Sequence, residues 1–215
     1  MVNILGIDEA GRGPVIGPLV IAGVMLDESK VDTILKGVKD SKLLTKEKRE
    51  ELYPKIINST NYKIIIIEPI EIDEALMSQE LNLNWLEAHK SANIINDLEP
   101  DIAHIDSPSP NKEHYKEYVK KLLNNKNTEL IVDHKMESKS KLVAAASILA
   151  KVTRDNEIEE IKKAYGEIGP GYMSNPITQK FLEENWEKHP EIFRKSWISW
   201  KNHKNNKEQK KLEGY

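Results

Sequence analysis

The sequence predicts an α/β fold, on three observations. Short apolar runs with strand character recur at residues 2–7, 19–26, 62–67, 102–105 and 130–132. Stretches with helical spacing lie at 46–57, 83–98, 112–123, 141–165, 176–188 and 190–204. Strands come first and mix with helices later, an order that suits neither a bundle nor a sandwich.

Residues 2–7 and 19–26 are nearly all apolar, as buried strands are. A plain hairpin between them would need one turn dipeptide. Instead the chain places Asp8, Glu9, Gly11, Arg12 and Gly13 there and closes with Pro14. Further on, Pro100 separates helix from strand, and Pro108 with Pro110 stops the strand at 102–105. Small Ala144, Ala145 and Ala146 let the helix at 141–165 pack closely on the sheet. Residues 166–176 (GEIGPGYMSNP) are a loop by composition. Trp85, Trp186, Trp197 and Trp200 are expected in the core or between helices.

The strand ends deliver acids. Asp8 and Glu9 follow the first strand, Asp106 ends the fourth, and Asp133 and Glu137 follow the fifth. Residues beyond strand ends line the crevice of a helix-covered sheet, so these acids are placed to converge. Clustered carboxylates raise one another's pKa unless a cation intervenes. With oxygen ligands, no cysteine and no paired-histidine spacing, the expected cation is a hard ion, Mg²⁺ or Mn²⁺. Two such ions about 4 Å apart suit phosphodiester hydrolysis. A lone His134 more often satisfies local hydrogen bonds than binds metal.

Composition narrows the setting. The 215 residues suit one good-sized domain with an extension, able to bury most of its apolar surface without disulfides. The absence of cysteine fits a reducing cytosol. The N-terminal apolar run stops at Asp8, so no signal peptide is expected, and no run approaches the ~20 residues of a bilayer span. The net charge of -3 conceals a basic end: seven bases between Arg194 and Leu212 face one acid, Glu208. Such a strip is either a solvated tail or a surface for a phosphate backbone. A cytoplasmic monomer is expected.

Seven motifs then stand in a familiar order: DEAGRGP (8–14), DSKLL (40–44), DS (106–107), HKMES (134–138), AAASILAKVTRD (144–155), GPGY (169–172) and RKSW (194–197). Over nearly its whole length the chain resembles ribonuclease HII, with an archaeal flavour. The resemblance implies a ribonuclease H-like fold, a central mixed five-stranded sheet flanked by helices, with a helical C-terminal extension. It implies a catalytic domain over 1–175, a helical segment over 176–206 that helps bind substrate, and a tail over 207–215. The implied activity is endonucleolytic cleavage 5′ to a ribonucleotide, in RNA–DNA hybrids and in duplex DNA carrying a single ribonucleotide. Asp8, Glu9 and Asp106 match three of the family's four metal-binding carboxylates. The fourth is usually an aspartate two residues after HK, and Glu137 stands there, with Asp133 as the fallback. Gly11, Arg12 and Gly13 correspond to the segment that senses the ribose 2′-hydroxyl. Tyr172 matches the tyrosine that stacks on the sugar at the ribo–deoxy junction. Lys42 is a phosphate candidate, as is Ser147 with Lys151 one helical turn on.

Two competing readings remain open at this point. Another ribonuclease H-like nuclease, such as a junction resolvase, would share the acids but not need the Gly-Arg-Gly segment. A hybrid-binding protein would follow if the change at Glu137 impaired catalysis. The tail QKKLEGY adds a partner: Gln209, Leu212 and Tyr215 stand three apart, one face of a 3₁₀ turn. It looks like the peptide with which many replication and repair proteins dock on a sliding clamp.

Overall fold

The computed structural model describes residues 1–38, 41–78 and 81–213, with the backbone alone at 41 and 210–213. Asp40 of the DSKLL motif and Gly214 and Tyr215 of the tail lie outside the described residues. The strands are β1 (Asn3–Ala10), β2 (Leu19–Asp27), β3 (Asn61–Ile67), β4 (Ile102–Asp106) and β5 (Glu129–Asp133). The helices are α1 (Val31–Ile34), α2 (Lys46–Ser59), α3 (Pro69–Met77), α4 (Leu83–Leu98), α5 (Lys112–Leu122), α6 (Lys141–Tyr165), α7 (Pro176–Asn185) and α8 (Ile198–Glu213).

One mixed sheet runs in the order β3-β2-β1-β4-β5. The first three strands form an antiparallel meander, and β4 and β5 add in parallel beside β1. Alternation along each strand divides the apolar residues between two cores. Leu5, Ile7, Ile21, Ala103, Ile105 and Leu130 pack against α4 and α5. Ile4, Val20, Ala22 and Val24 pack on the other face, against α2 and α6. Each fully buried Leu or Ile is worth about 1.5–3 kcal/mol, so both faces are firmly held. Gly6 sets how closely α6 lies on the sheet, since a Cβ there would stand 2.2 Å from the Leu142 carbonyl carbon.

A third core ties the two ends of the chain together. Val15 and Ile16, from the β1–β2 connection, pack with Ile158 of α6, Phe181 and Leu182 of α7, and Phe193 and Trp200. Trp186 joins them edge-on to Trp200, in the interhelix role expected of it.

Several boundaries differ from the sequence reading. β1 continues to Ala10, so Asp8 and Glu9 lie within the strand, paired with Ala22 and Ile21, and not in a loop beyond it. Helix α3 has no counterpart in that reading, although Pro69 occupies its favoured first-turn position. The helix expected over 190–204 is broken. A 3₁₀ turn at Pro190–Ile192 leads to Phe193, which bridges to Ile16, and helix resumes only at Ile198. Burial of Phe193 and Arg194 outweighs helical continuity there. From Ile198 the helix then runs unbroken through Glu213, so Gln209 lies on regular α-helix and not in a 3₁₀ turn.

Candidate active site

A cleft of about 330 Å³ opens at the carboxyl ends of β1 and β4. Asp8, Glu9, Gly11, Arg12, Gly13, Lys42, Asp106, Ser147 and Tyr172 all line it. Strand register explains the first convergence. Ile7 pairs with Ile105 across the parallel β1–β4 ladder, so one step further each strand presents an aspartate. The pleat then turns adjacent Asp8 and Glu9 to opposite faces. Asp8 meets Ser147 of α6, whose hydroxyl donates to it, while Glu9 faces Glu87 of α4.

These carboxylates crowd one another away from water. Burial, then the Glu9 charge, push Asp8 well above its ordinary range. Burial and the facing Glu87 and Asp106 push Glu9 up to about 8. Asp106 is also raised, chiefly by burial, although the Met136 backbone N–H donates to its Oδ1 at 2.8 Å. A site that holds buried acids together at this cost is suited to a cation.

Glu137 is 5% exposed and its charge bears on Asp106. Lys42 Nζ donates to its Oε1 at 2.9 Å, while Oε2 is buried with no hydrogen-bond partner among the described residues. Asp133 is differently placed. Lys112 and Lys139 grip its two oxygens at 2.9 and 2.5 Å and hold its carboxyl far below the usual range. Neither Asp133 nor Glu137 lines the cleft itself, and Glu137 borders a separate hollow with Leu43, Ser140 and Lys141. Among the described residues no three acids or histidines are already gathered into a cage for an ion. The donor set nonetheless fits a hard divalent cation: oxygen only, with Asp8 and Glu137 buried, Glu9 and Asp106 half-buried, and one orphaned carboxylate oxygen on Glu137.

The Gly-Arg-Gly turn forms another wall. Gly11 has φ +84, and a Cβ there would meet the Pro18 carbonyl oxygen at 2.7 Å. Tyr172 packs beside Gly13, with the Arg154 guanidinium 5.3 Å from its ring centre. Arg154, itself buried, donates to the Pro170 carbonyl and so anchors the GPGY loop. The Arg12 side chain has protein partners of its own. Its Nε donates to Glu87 Oε1 at 2.8 Å and its Nη2 to Asn84 Oδ1, committing one edge of the guanidinium to α4. Lys151 likewise turns to Asp155, at 2.6 Å.

Glu87, Asn84 and Arg154 escaped the sequence reading. Glu87 did leave a signal: with Ser91 one turn on, it puts a charged group on the buried face of α4, where it needs a partner. Burial raises it to about 7 despite the Arg12 charge.

Acids from neighbouring parallel strands, meeting at the carboxyl ends of the interior strands of a mixed five-stranded sheet flanked by helices, fit a ribonuclease H-type hydrolase acting on phosphodiesters. Residues 5–200 match the family model described as ribonuclease HII. A ribonuclease HII of Methanococcus maripaludis (strain C6) is 49% identical over 93% of this chain and 86% of its own. The crystal structure of ribonuclease H2 from Pyrococcus horikoshii OT3 superposes with a TM-score of 0.86 at 39% identity, covering 95% of this chain and 98% of that one. The Archaeoglobus fulgidus ribonuclease HII, solved in complex with PCNA, gives 0.80 at 38% identity over 91% and 95%. The chain belongs to the ribonuclease HII family. Among its described residues no helix is long and apolar enough to cross a membrane.

Proposed function

We propose that this ribonuclease hydrolyses the phosphodiester on the 5′ side of a ribonucleotide, in RNA–DNA hybrids and at single ribonucleotides in duplex DNA, leaving 3′-hydroxyl and 5′-phosphate ends. The observation that carries this reading is one cleft that combines buried acids with a glycine turn and a half-exposed tyrosine. The acids serve hydrolysis, and the turn and ring serve recognition of a sugar.

Asp8, Glu9, Asp106 and Glu137 are the residues that would hold metal, with Asp133 the weaker candidate because two lysines already neutralise it. Two Mg²⁺ or Mn²⁺ ions so held would activate water and stabilise the leaving oxygen. The chain's own groups do the rest. Ser147 orients the Asp8 carboxylate, and Met136 N–H orients that of Asp106. Lys42 neutralises Glu137 and, at the cleft mouth, is placed to meet a backbone phosphate. Tyr172 offers a ring to the sugar at the junction. The Gly11, Arg12 and Gly13 backbone reads the 2′-hydroxyl. The 176–206 segment carries cations toward the duplex, and the enzyme works as a cytoplasmic monomer.

The test is a duplex carrying one ribonucleotide, its all-deoxy twin and a four-way junction, each with Mg²⁺ or Mn²⁺. Cleavage of the first alone, 5′ to the ribonucleotide, is expected. Junction cleavage, or binding without cleavage, would favour the resolvase or the hybrid-binding reading.

The same proposal extends to a sliding clamp, docked through the 209–215 tail. Its support is the Gln209, Leu212, Tyr215 spacing and the solved PCNA complex of the Archaeoglobus relative. Calorimetric titration of clamp into the full chain and a chain ending at residue 208 decides it, since identical heats would remove that partner.

A further inference from the structure

Arg194 heads the large side chains that are fully buried, yet its guanidinium faces backbone. Nη2 donates to the Gly11 carbonyl at 2.6 Å, Nη1 to Arg12 at 3.0 Å and Nε to Gly17 at 2.9 Å. In a trans peptide the carbonyl and the following N–H point in opposite directions, and the described chain has no cis bond. Drawing the Gly11 and Arg12 carbonyls onto Arg194 therefore turns the N–H groups of Arg12 and Gly13 the other way. Those residues line the cleft and Arg194 does not. Among the described residues neither N–H has a protein acceptor. The next carbonyl, of Gly13, accepts from Trp197 Nε1 at 3.2 Å, and its peptide ends in Pro14, which has no N–H to offer.

The segment carrying Arg194 is itself fixed. Its own N–H donates to the Val15 carbonyl. Beside it, buried Asp73 accepts from the backbone N–H groups of Lys195 and Ser196, each at 2.8 Å, and from the Ser196 hydroxyl.

We infer that Arg194 is a positioning residue for ribose recognition: it holds the N–H groups of Arg12 and Gly13 as a fixed donor pair for a 2′-hydroxyl, and Asp73 locks it in place. The inference rests on the proposed ribonucleotide reading of the cleft. The fork geometry is what matters. Lysine keeps the charge but is a point donor and cannot hold three carbonyls at once.

The test measures affinity without divalent ions, by fluorescence anisotropy, for a duplex with one ribonucleotide and for its all-deoxy twin. Arg194→Lys should keep all-deoxy affinity within about twofold while its ribonucleotide preference falls about tenfold, the scale of one net hydrogen bond. Asp73→Asn, which puts a donor opposite the Lys195 N–H, should give the same pattern more weakly and carries the test alone if Arg194→Lys does not fold. With Mg²⁺, both should lower kcat/KM at the lone ribonucleotide more than they raise the all-deoxy dissociation constant. Folded variants with an unchanged ribo-to-deoxy ratio, or with equal loss on both duplexes, overturn the inference. A wild type with no ribonucleotide preference instead sinks the reading on which it rests.

Discussion

Replacing Glu9 with glutamine should flatten the pH dependence of stability of the metal-free enzyme. Glu9 rises from 4.5 to about 8 on folding, and facing Glu87 rises from 4.5 to about 7. For an acid raised on folding, the native state binds more protons than the unfolded one between the two pKa values, so stability falls as pH rises through that window. Below about 4.5 both states are protonated and the effect is absent; above about 8 it is complete. At about 1.4 kcal/mol per pKa unit the ceiling for Glu9 is roughly 5 kcal/mol. Part of this is shared with Glu87, because one proton between the two relieves both, so roughly 3–5 kcal/mol is expected for the pair. Asp133 is shifted down, so its loss of stability falls at acid pH, outside the window. Urea unfolding followed by circular dichroism in EDTA, at pH 5, 7 and 9, measures the quantity. Wild type should lose stability relative to Glu9→Gln across that range, and saturating Mg²⁺ should remove much of the difference by binding the native state. Parallel pH curves for the two proteins in EDTA would refute the reasoning.

Asp8→Asn or Asp106→Asn should lower kcat by at least about a thousandfold while leaving duplex binding measurable by anisotropy. Glu137→Gln should also be severe and Asp133→Asn should stay within about threefold of wild type; the reverse ranking would exchange their roles. Gly11→Ala forces a side chain onto a left-handed backbone 2.7 Å from a carbonyl oxygen, so thermal melting should show a loss of about 2 kcal/mol or more. Tyr172→Ala should weaken cleavage at a ribo–deoxy junction more than on uniform hybrid, and equal losses on the two substrates would count against its stacking role.

The sheet was legible because strand periodicity and length are local properties. All five strands fall where the apolar runs lie, and Asp8, Glu9 and Asp106 meet because parallel register carries them there. What escaped depended on direction. Spacing cannot tell which of Asp133 and Glu137 turns toward Asp106, and only packing reveals that two lysines hold Asp133 while one holds Glu137. Nothing near Arg12 in the sequence announces that α4 brings Glu87 to it from 75 residues away. Arg194 sits in a window whose helical spacing is good. Its escape from helix comes from carbonyls near residue 11 that no local pattern can announce.

That last contact also bears on the order in which the molecule folds. Arg194 and Gly11 are 183 residues apart, so the glycine turn stays unbraced until the chain has folded back on itself from Arg194. Closing so long a loop is entropically slow, and long-range contacts of this kind tend to form late. A folding chain can therefore pair β1 with β2 and bring up their acids while the glycine turn still lacks its brace.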